Sequence, residues 1–500
     1  MKQRHASFGG IALSALVIAS VASHAPPSEA RSRRRTPTPR DAQSLARALG
    51  ALASSPRLGG ASVGMLVMDL RTGRELFARD ADKLVPVASN TKIVTASTAL
   101  SVLGPTYRFR TAFYGKLQDG TVDGDLIVKG HGDPTLGARD LWLIAQRLKS
   151  RGVRRISGGV VLDESYFDRR ILAPLYETKK DDWYYRPAVG PLSIEENAVG
   201  VRIDGGKNPG DPAQVSIQPR SGYVRVKNRV VTVAKGRRNH VRFKSRGVGA
   251  FTVIELEGRV RVGHVGRTWF KRVAHPGRYF GLTLVRLLQR AGIRLGRRDV
   301  RRGKAPERDE PLYVFKSSPL GAILRYTMKA SSNFVAETLV KVMGAEERKE
   351  PGSWPKGLAV IAQHMRKLGI ARRAYSMKNG SGLYEGNRFT PRQLATVLRK
   401  TLRDVRVAPD FLATLPIAGY DGTLRRRYRG LAGKGLVRAK TGTLSRVVAL
   451  SGVAASPKRP DQRLVFSFLV SELPKKPGQI SRARRIVDRM ATLLVRYLGR

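Results

Sequence analysis

The sequence predicts a multidomain α/β protein, with one helix-and-sheet domain split in sequence by inserted strand-rich modules. Three observations predict it. Five hundred residues exceed what a single hydrophobic core usually organises. A helix and a hairpin near the N-terminus are matched by three strands and a helix near the C-terminus. Between them the pattern changes to short β runs broken by Gly, Asp and Pro. A hydrophobic share of 41% fits a globular chain rather than a disordered or membrane-spanning one.

The chain opens as an export signal over residues 1–30. "MKQRH" is a short basic start, "FGGIALSALVIASVA" an apolar core, and small residues follow. Cleavage after Ala22 or Ala30 fits better than after Ala25, which Pro26 follows. The apolar run is shorter than the roughly 20 residues of a membrane span. An exported, periplasmic or cell-envelope location is expected. Residues 31–40, "RSRRRTPTPR", read as a flexible basic linker.

Residues 41–105 form the first part of the split domain. "AQSLARALGALAS" repeats apolar positions at helical spacing. "ASVGMLVMDL" and "RELFARD" flank "RTG" as a hairpin. "NTKIVTASTALSVL" is a helix stopped by Gly104 and Pro105. Residues 106–305 hold the β-patterned runs, among them "DGDLIVKGHGDPTL", "YVRVKNRVVTVAKG" and "AFTVIELEGRVRVGHV". Residues 306–500 return to helices: one opened by Ser318 and Pro319, then "NFVAETLVKVMG", "WPKGLAVIAQHMRKLG" and "TPRQLATVLRKTL". Strands "GLVRAKTGT", "RVVALSGVAAS" and "RLVFSFLVSEL" follow. A last helix places Ile486, Met490, Leu493 and Tyr497 on one face. No internal repeat is visible.

Composition excludes several classes. With no cysteine there is no disulfide, lipidated thiol or thiolate metal site. His131, His240, His264, His275 and His364 show no H-x-H or H-E-x-x-H spacing, which speaks against a zinc hydrolase, and no cofactor is expected. The net charge of +55, from 93 Lys and Arg against 38 Asp and Glu, attracts polyanions. No RNP, KH or zinc-finger pattern accompanies it, so no specific nucleic acid is expected. Anionic envelope polymers are the more natural partners of an exported chain, and an ordinary solvated basic surface explains the charge equally well.

The chemistry lies in three short motifs. A serine hydroxyl needs a base within hydrogen-bond reach to become a nucleophile. The G-x-S-x-G "GASVG" (60–64) lacks the strand–turn–helix of a nucleophile elbow, and Ser62 instead begins a strand. "SWPK" (353–356) places Ser353 as a helix cap. "SNTK" (89–92) differs, because "SSN" (331–333) and "KTG" (440–442) follow it in order. Such S-x-x-K, S-x-N and K-T-G sets line one cleft in serine penicillin-recognising enzymes. Ser89 is expected both to cap its helix and to attack substrate, with that helix terminus presenting N–H groups to the oxyanion. Lys92 can serve as base only when neutral, so it needs burial and cationic neighbours such as Lys440. Lys440 and Thr441 suit a substrate carboxylate, and Gly442 clears space for substrate beside the strand. Ser331 can relay a proton to the leaving amine and Asn333 can hold a substrate amide. Alternatively, Ser89 is only a cap, Asn333 a turn residue and "KTG" an ordinary edge strand.

With these motifs the chain resembles the D-alanyl-D-alanine carboxypeptidase/endopeptidase family of low-molecular-mass penicillin-binding proteins, whose large insertion lies between the first two motifs. "GHGDPTL" (130–136), "NGSGL" (379–383) and "LPIAGYDGTL" (415–424) add to the resemblance, which covers most of residues 45–498. It implies a penicillin-binding, β-lactamase-like transpeptidase domain with an antiparallel central sheet flanked by helices. It also implies that Ser89 is acylated by peptidoglycan stem peptides or cross-links, and that Lys92 activates it. Ser331 and Asn333 form the second motif, and Lys440, Thr441 and Gly442 the third. Backbone N–H groups of Ser89 and Thr443 make the oxyanion hole, no metal takes part, and β-lactam antibiotics inhibit covalently. One departure stands out: Ser332 occupies the middle of the second motif, where Asp is expected in many relatives, which puts turnover rate in doubt.

Two rivals remain. A β-lactamase or esterase using the same triad needs rapid deacylation, and the roughly 200-residue insertion is foreign to small lactamases. A non-catalytic basic envelope-binding protein would use the charge alone.

Overall fold

Alternation along the strand Ser62–Asp69 shows how the central sheet is built. Met65 and Val67 enter one hydrophobic cluster, Leu66 and Met68 another, because successive strand side chains point to opposite faces. The strand Arg463–Ser471 does the same, with Leu464, Phe466 and Phe468 on one side and Val465 and Leu469 on the other. In the computed structural model, which describes residues 39–178, 182–459 and 461–499, five antiparallel strands form this sheet. Their order is Val437–Leu444, Val447–Ala455, Arg463–Ser471, Ser62–Asp69 and Glu75–Arg79. The expected signal segment and most of the basic linker lie outside the described residues.

Helices cover both faces. Helix α1 (Ala42–Ala53) starts at Asp41, whose carboxylate accepts from the Ser44 N–H at 2.6 Å. Helix α2 (Thr91–Leu103) is buried continuously from Thr91 to Leu100 and ends at Gly104. The inserted region carries α3 (Ala138–Ser150) and α4 (Pro276–Arg290). After it come α5 (Leu320–Ala330), α6 (Asn333–Arg348), α7 (Trp354–Lys367), α8 (Pro391–Arg403) and α9 (Ala408–Thr414). Helix α10 (Gln479–Leu498) closes the described chain. Leu45 and Leu49 of α1 join Met490 and Leu494 of α10 on one face of the sheet. Ile93 of α2 and Leu394 of α8 join the cluster on the other.

The insertion builds its own core from Phe113, Val128, Leu141, Ile144, Phe280 and Leu284. A seven-stranded mixed sheet and two three-stranded sheets surround it. The strand Tyr313–Lys316 pairs with Arg110–Gln118, so this sheet's last strand lies beyond residue 305. Helices α3 and α4 interrupt the region that the sequence predicts as strand-rich, and Leu141, Ile144, Ala145 and Leu148 repeat at helical spacing there.

Three serines test the capping arguments. Ser353 caps α7 by accepting from the Lys356 N–H at 3.3 Å, and Ser62 begins its strand while accepting from Lys83 Nζ at 2.9 Å. Ser318 does not cap α5. Pro319 takes that position without a side-chain bond, and the neighbouring Ser317 accepts from the Phe109 N–H at 3.0 Å. Among the described residues no helix is long and apolar enough to cross a membrane.

Candidate active site

The turn before α2 sets the position of Ser89. Residues Ala88–Asn90 form a short 3₁₀ turn, and Ala88 adopts a positive φ of 49°, a conformation that non-glycine residues seldom take. The cap position of α2 is Asn90, whose side chain makes no capping bond to the helix. The expectation that Ser89 caps the helix is therefore corrected, because the extra turn moves it off the cap and leaves its hydroxyl facing Lys92. The loop "NGSGL" packs over this turn: Gly382 has φ +78°, and a Cβ there would run into the carbonyl of Ala88.

Lys92 is buried in the first turn of α2. Its Nζ lies 3.0 Å from Ser89 Oγ, 2.7 Å from Asn333 Oδ1 and 2.8 Å from the Ser381 carbonyl. Burial pushes its ammonium down from 10.5 to about 7, and the nearby Glu337 carboxylate opposes that shift. A neutral amine has two N–H donors and one lone pair. The Asn333 and Ser381 oxygens can only accept, so they take both donors and the lone pair is left for the Ser89 hydroxyl.

Lys440 lies on the edge strand Val437–Leu444 and is fully buried. It donates to Ser331 Oγ at 2.8 Å and to the Thr441 carbonyl at 3.0 Å. Burial and then the charge of Lys92 push its ammonium well below the ordinary value. Burial itself accounts for the shift of Lys92, so the expected help from a cationic neighbour is not its main cause. Ser331 ends α5 with a φ of +59°, which turns the chain sharply enough for the second motif to face the third.

Asn333 is held at both ends, since its Nδ2 donates to the Tyr185 carbonyl at 2.7 Å while Oδ1 receives Lys92. One N–H of that amide remains for a substrate. Ser332 accepts from the Val335 N–H at 3.2 Å as the cap of α6 and donates to Glu196 Oε2 at 3.0 Å. A carboxylate thus does stand at the second motif, supplied by Glu196 from the inserted region in place of the expected Asp. Burial raises its pKa.

Gly442 faces the nucleophile turn, where an added Cβ would sit 2.7 Å from the Val87 carbonyl and 3.0 Å from Asn90 Nδ2. Asn90 Nδ2 donates to the Lys440 carbonyl at 3.2 Å, which ties turn to strand. Thr441 donates to Thr423 Oγ1 at 2.8 Å, and Thr443 accepts from Arg484 Nη2 of α10 at 3.1 Å. Of the eight expected residues, hydrogen bonds join Lys92 to Ser89 and Asn333 and Lys440 to Ser331, Gly442 packs against the turn that carries Ser89, and Thr441 and Thr443 flank Gly442 on the same strand.

Motif reading missed its supports. Glu337 accepts from the N–H groups of Gly380 at 3.0 Å and Ser381 at 2.9 Å, and from Trp354 Nε1 at 2.9 Å. It thereby positions the carbonyl that holds Lys92. An acid four residues after Asn333 inside an apolar helical run was the available signal. Thr423 lies within "LPIAGYDGTL" (415–424), but Tyr185, Glu196 and Arg484 left no comparable signal, since each meets the site only through folding.

The model of the D-Ala-D-Ala carboxypeptidase 3 (S13) family matches residues 45–494. A D-alanyl-D-alanine carboxypeptidase from Actinomadura sp. is 32% identical over 469 residues, covering 90% of this chain and 84% of that protein. Penicillin binding protein 4 (dacB) from Haemophilus influenzae superposes with a TM-score of 0.75 at 23% identity, over 89% of this chain and 98% of that one. Its β-lactam complex gives 0.71. A predatory endopeptidase from Bdellovibrio bacteriovorus gives a TM-score of 0.51 at 16% identity, over 87% and 94%. The structural likenesses show the fold, and the extent of the sequence match shows that the chain belongs to the D-Ala-D-Ala carboxypeptidase 3 (S13) family.

Proposed function

We propose that this protein is a serine-type D-Ala-D-Ala carboxypeptidase that acts on peptidoglycan peptides through an acyl-enzyme at Ser89. The observation that carries the mechanism is Lys92 Nζ, 3.0 Å from Ser89 Oγ and held by burial at about 7. Lys92 takes the hydroxyl proton as Ser89 Oγ bonds to the carbonyl carbon of the penultimate D-Ala. The N–H groups of Ser89 and Thr443 receive the oxyanion. On collapse the C–N bond breaks, and the proton that Lys92 took reaches the departing amine through the hydroxyl of Ser331, which Lys440 holds at 2.8 Å, so Lys92 is neutral again. Water then attacks the ester, and Lys92 takes its proton in turn. The segment Pro416–Ala418 covers the edge of Val437–Leu444 as far as Ala439, and substrate lies along the free part beyond it, beside the bare Cα of Gly442, with its carboxylate at Thr441 and Thr443.

Residues 41–105 and 306–500 make the catalytic domain and residues 106–305 the inserted modules, a division supported by the insertion's own cluster around Phe113, Leu141 and Phe280, although Tyr166, Phe167 and Tyr176 pack into the cluster of α2 and α8 and the strand Tyr313–Lys316 joins the insertion's sheet. Penicillin occupies the peptide's place and leaves a slow acyl-enzyme. The free strand edge also supports cleavage of cross-links, where a second stem peptide follows the scissile bond. The proposed location is the cell envelope, reached through a signal peptide over residues 1–30 and a basic linker over 31–40. The +55 charge supports a further contact with anionic envelope polymers.

Intact mass after incubation with benzylpenicillin tests the nucleophile, with Ser89→Ala beside the wild type. A stable adduct on the wild type alone, mapped to the peptide holding Ser89, is expected, together with D-alanine release from a D-Ala-D-Ala peptide. Rapid drug loss without adduct would point to a β-lactamase. Neither adduct nor turnover would end the catalytic reading.

A further inference from the structure

Beside the cleft lies an open cavity of about 750 Å³ lined by Gly419, Arg425, Arg426, Arg429, Gly430 and Lys434. The run "RRRYR" (425–429) divides its charges between two sides. Arg427 turns inward and grips Asp488 of α10 through Nε at 3.0 Å and Nη2 at 2.6 Å, and the Tyr428 ring is buried. Arg425, Arg426 and Arg429 turn outward, where Lys434 joins them. Among the described residues none of these four cations has a carboxylate partner. Arg427 is the member of the run that does.

The loop is held firmly around them. Lys329 pairs with Asp421, Asp421 accepts from the Ile417 N–H at 2.8 Å, and Lys434 Nζ lies 5.3 Å from the Tyr420 ring centre. Four cations gathered about one cavity repel each other, and a bound anion removes that repulsion without reorganising the loop. A single carboxylate brings one charge and cannot engage four cations. A chain of phosphates brings several, and three of the four cations are guanidinium forks suited to phosphate oxygens.

We propose that this cavity binds a phosphate chain, giving a place to the polyanion contact suggested above, on which it rests. The site adjoins the substrate strand, because Thr423 in the same loop receives the Thr441 hydroxyl at 2.8 Å. A polymer held there keeps the cleft beside the anionic matrix in which its peptide substrates lie.

Calorimetric titration of the full chain at physiological salt tests this, first with inorganic tripolyphosphate and then with a glycerol-phosphate phosphodiester oligomer. The variant Arg425→Gln/Arg426→Gln/Arg429→Gln is compared with Arg237→Gln/Arg238→Gln/Arg242→Gln, which removes the same charge from an exposed region elsewhere. At least tenfold weaker binding in the first variant, and less than twofold in the second, is expected, with the tighter probe naming the source of the phosphate. Equal weakening in both would overturn the cavity site while leaving a diffuse polyanion contact. No binding by the wild type would overturn both. Should the triple variant not fold, Lys434→Gln alone is expected to weaken binding about threefold, and unchanged affinity there would also overturn the site.

Discussion

Lys92 is a cation placed where burial disfavours its charge, and the base role proposed for it depends on losing that charge. Acylation by benzylpenicillin is therefore expected to rise with pH through about 7, as the neutral amine becomes the main form. Because the Glu337 charge is what opposes the shift, Glu337→Gln should move the midpoint to lower pH. A rate that stays flat from mildly acidic to mildly alkaline pH would remove Lys92 as the base. Ser332 offers a second test. Its hydroxyl donates to Glu196, whereas an Asp there would bring a second carboxylate and no donor. Ser332→Asp is expected to cost about 1–3 kcal/mol in urea unfolding, and adding Glu196→Gln should recover most of it. No recovery would show that Glu196 is not the cause. At this scale the S-x-x-K, S-x-N and K-T-G residues were legible, because each motif needs a particular side chain. Glu196 was not, since 136 positions separate it from the serine it meets.

Among the elements, the edge strand and the nucleophile turn are fitted to each other through Gly442. Gly442→Ala places a methyl group 2.7 Å from the Val87 carbonyl, which pushes the strand away from Ser89. Acylation should fall by about a hundredfold, the usual cost of a displacement near 1 Å. A variant as fast as wild type would show that the strand has room. Helix α7 carries a different dependence. Burial, helped by Lys367, holds His364 at about 4 rather than 6.5, and its Nε2 lies 3.0 Å from Ser97 Oγ of α2. Its folded pKa is below its unfolded one, and for a histidine this makes the neutral form the stabilising one. That stability is complete above pH 6.5 and is lost as pH falls toward 4, by roughly 3 kcal/mol for a shift of this size. His364→Gln should flatten that part of the pH–stability curve, and an unchanged slope would assign it to other groups. Strands with strong local patterns were readable, as was the cap at Ser353, whereas the caps expected at Ser89 and Ser318 fall to Asn90 and Pro319. Helices α3 and α4 were passed over because their apolar positions lie among β-patterned neighbours.

Across the whole molecule, the charge of +55 opposes compactness. Raising sodium chloride from low to moderately high concentration screens that repulsion, so Tm should rise by a few degrees. A fall would show that surface ion pairs such as Arg392–Asp82 contribute more than the net charge takes away. The proposed split rests on the change from helical to alternating periodicity along the sequence, and the cluster around Phe113, Leu141 and Phe280 supports it. The sequence by itself determined the nucleophile candidate, its lysine, the companion motifs and the class of fold, since residue type and short spacing carry that information. Tertiary structure decided the rest: the turn that takes Ser89 off the helix cap, the carbonyls that occupy the donors of Lys92, and the carboxylate that reaches Ser332 from the insertion. These depend on burial and on contacts between residues up to 350 positions apart, which no local pattern encodes.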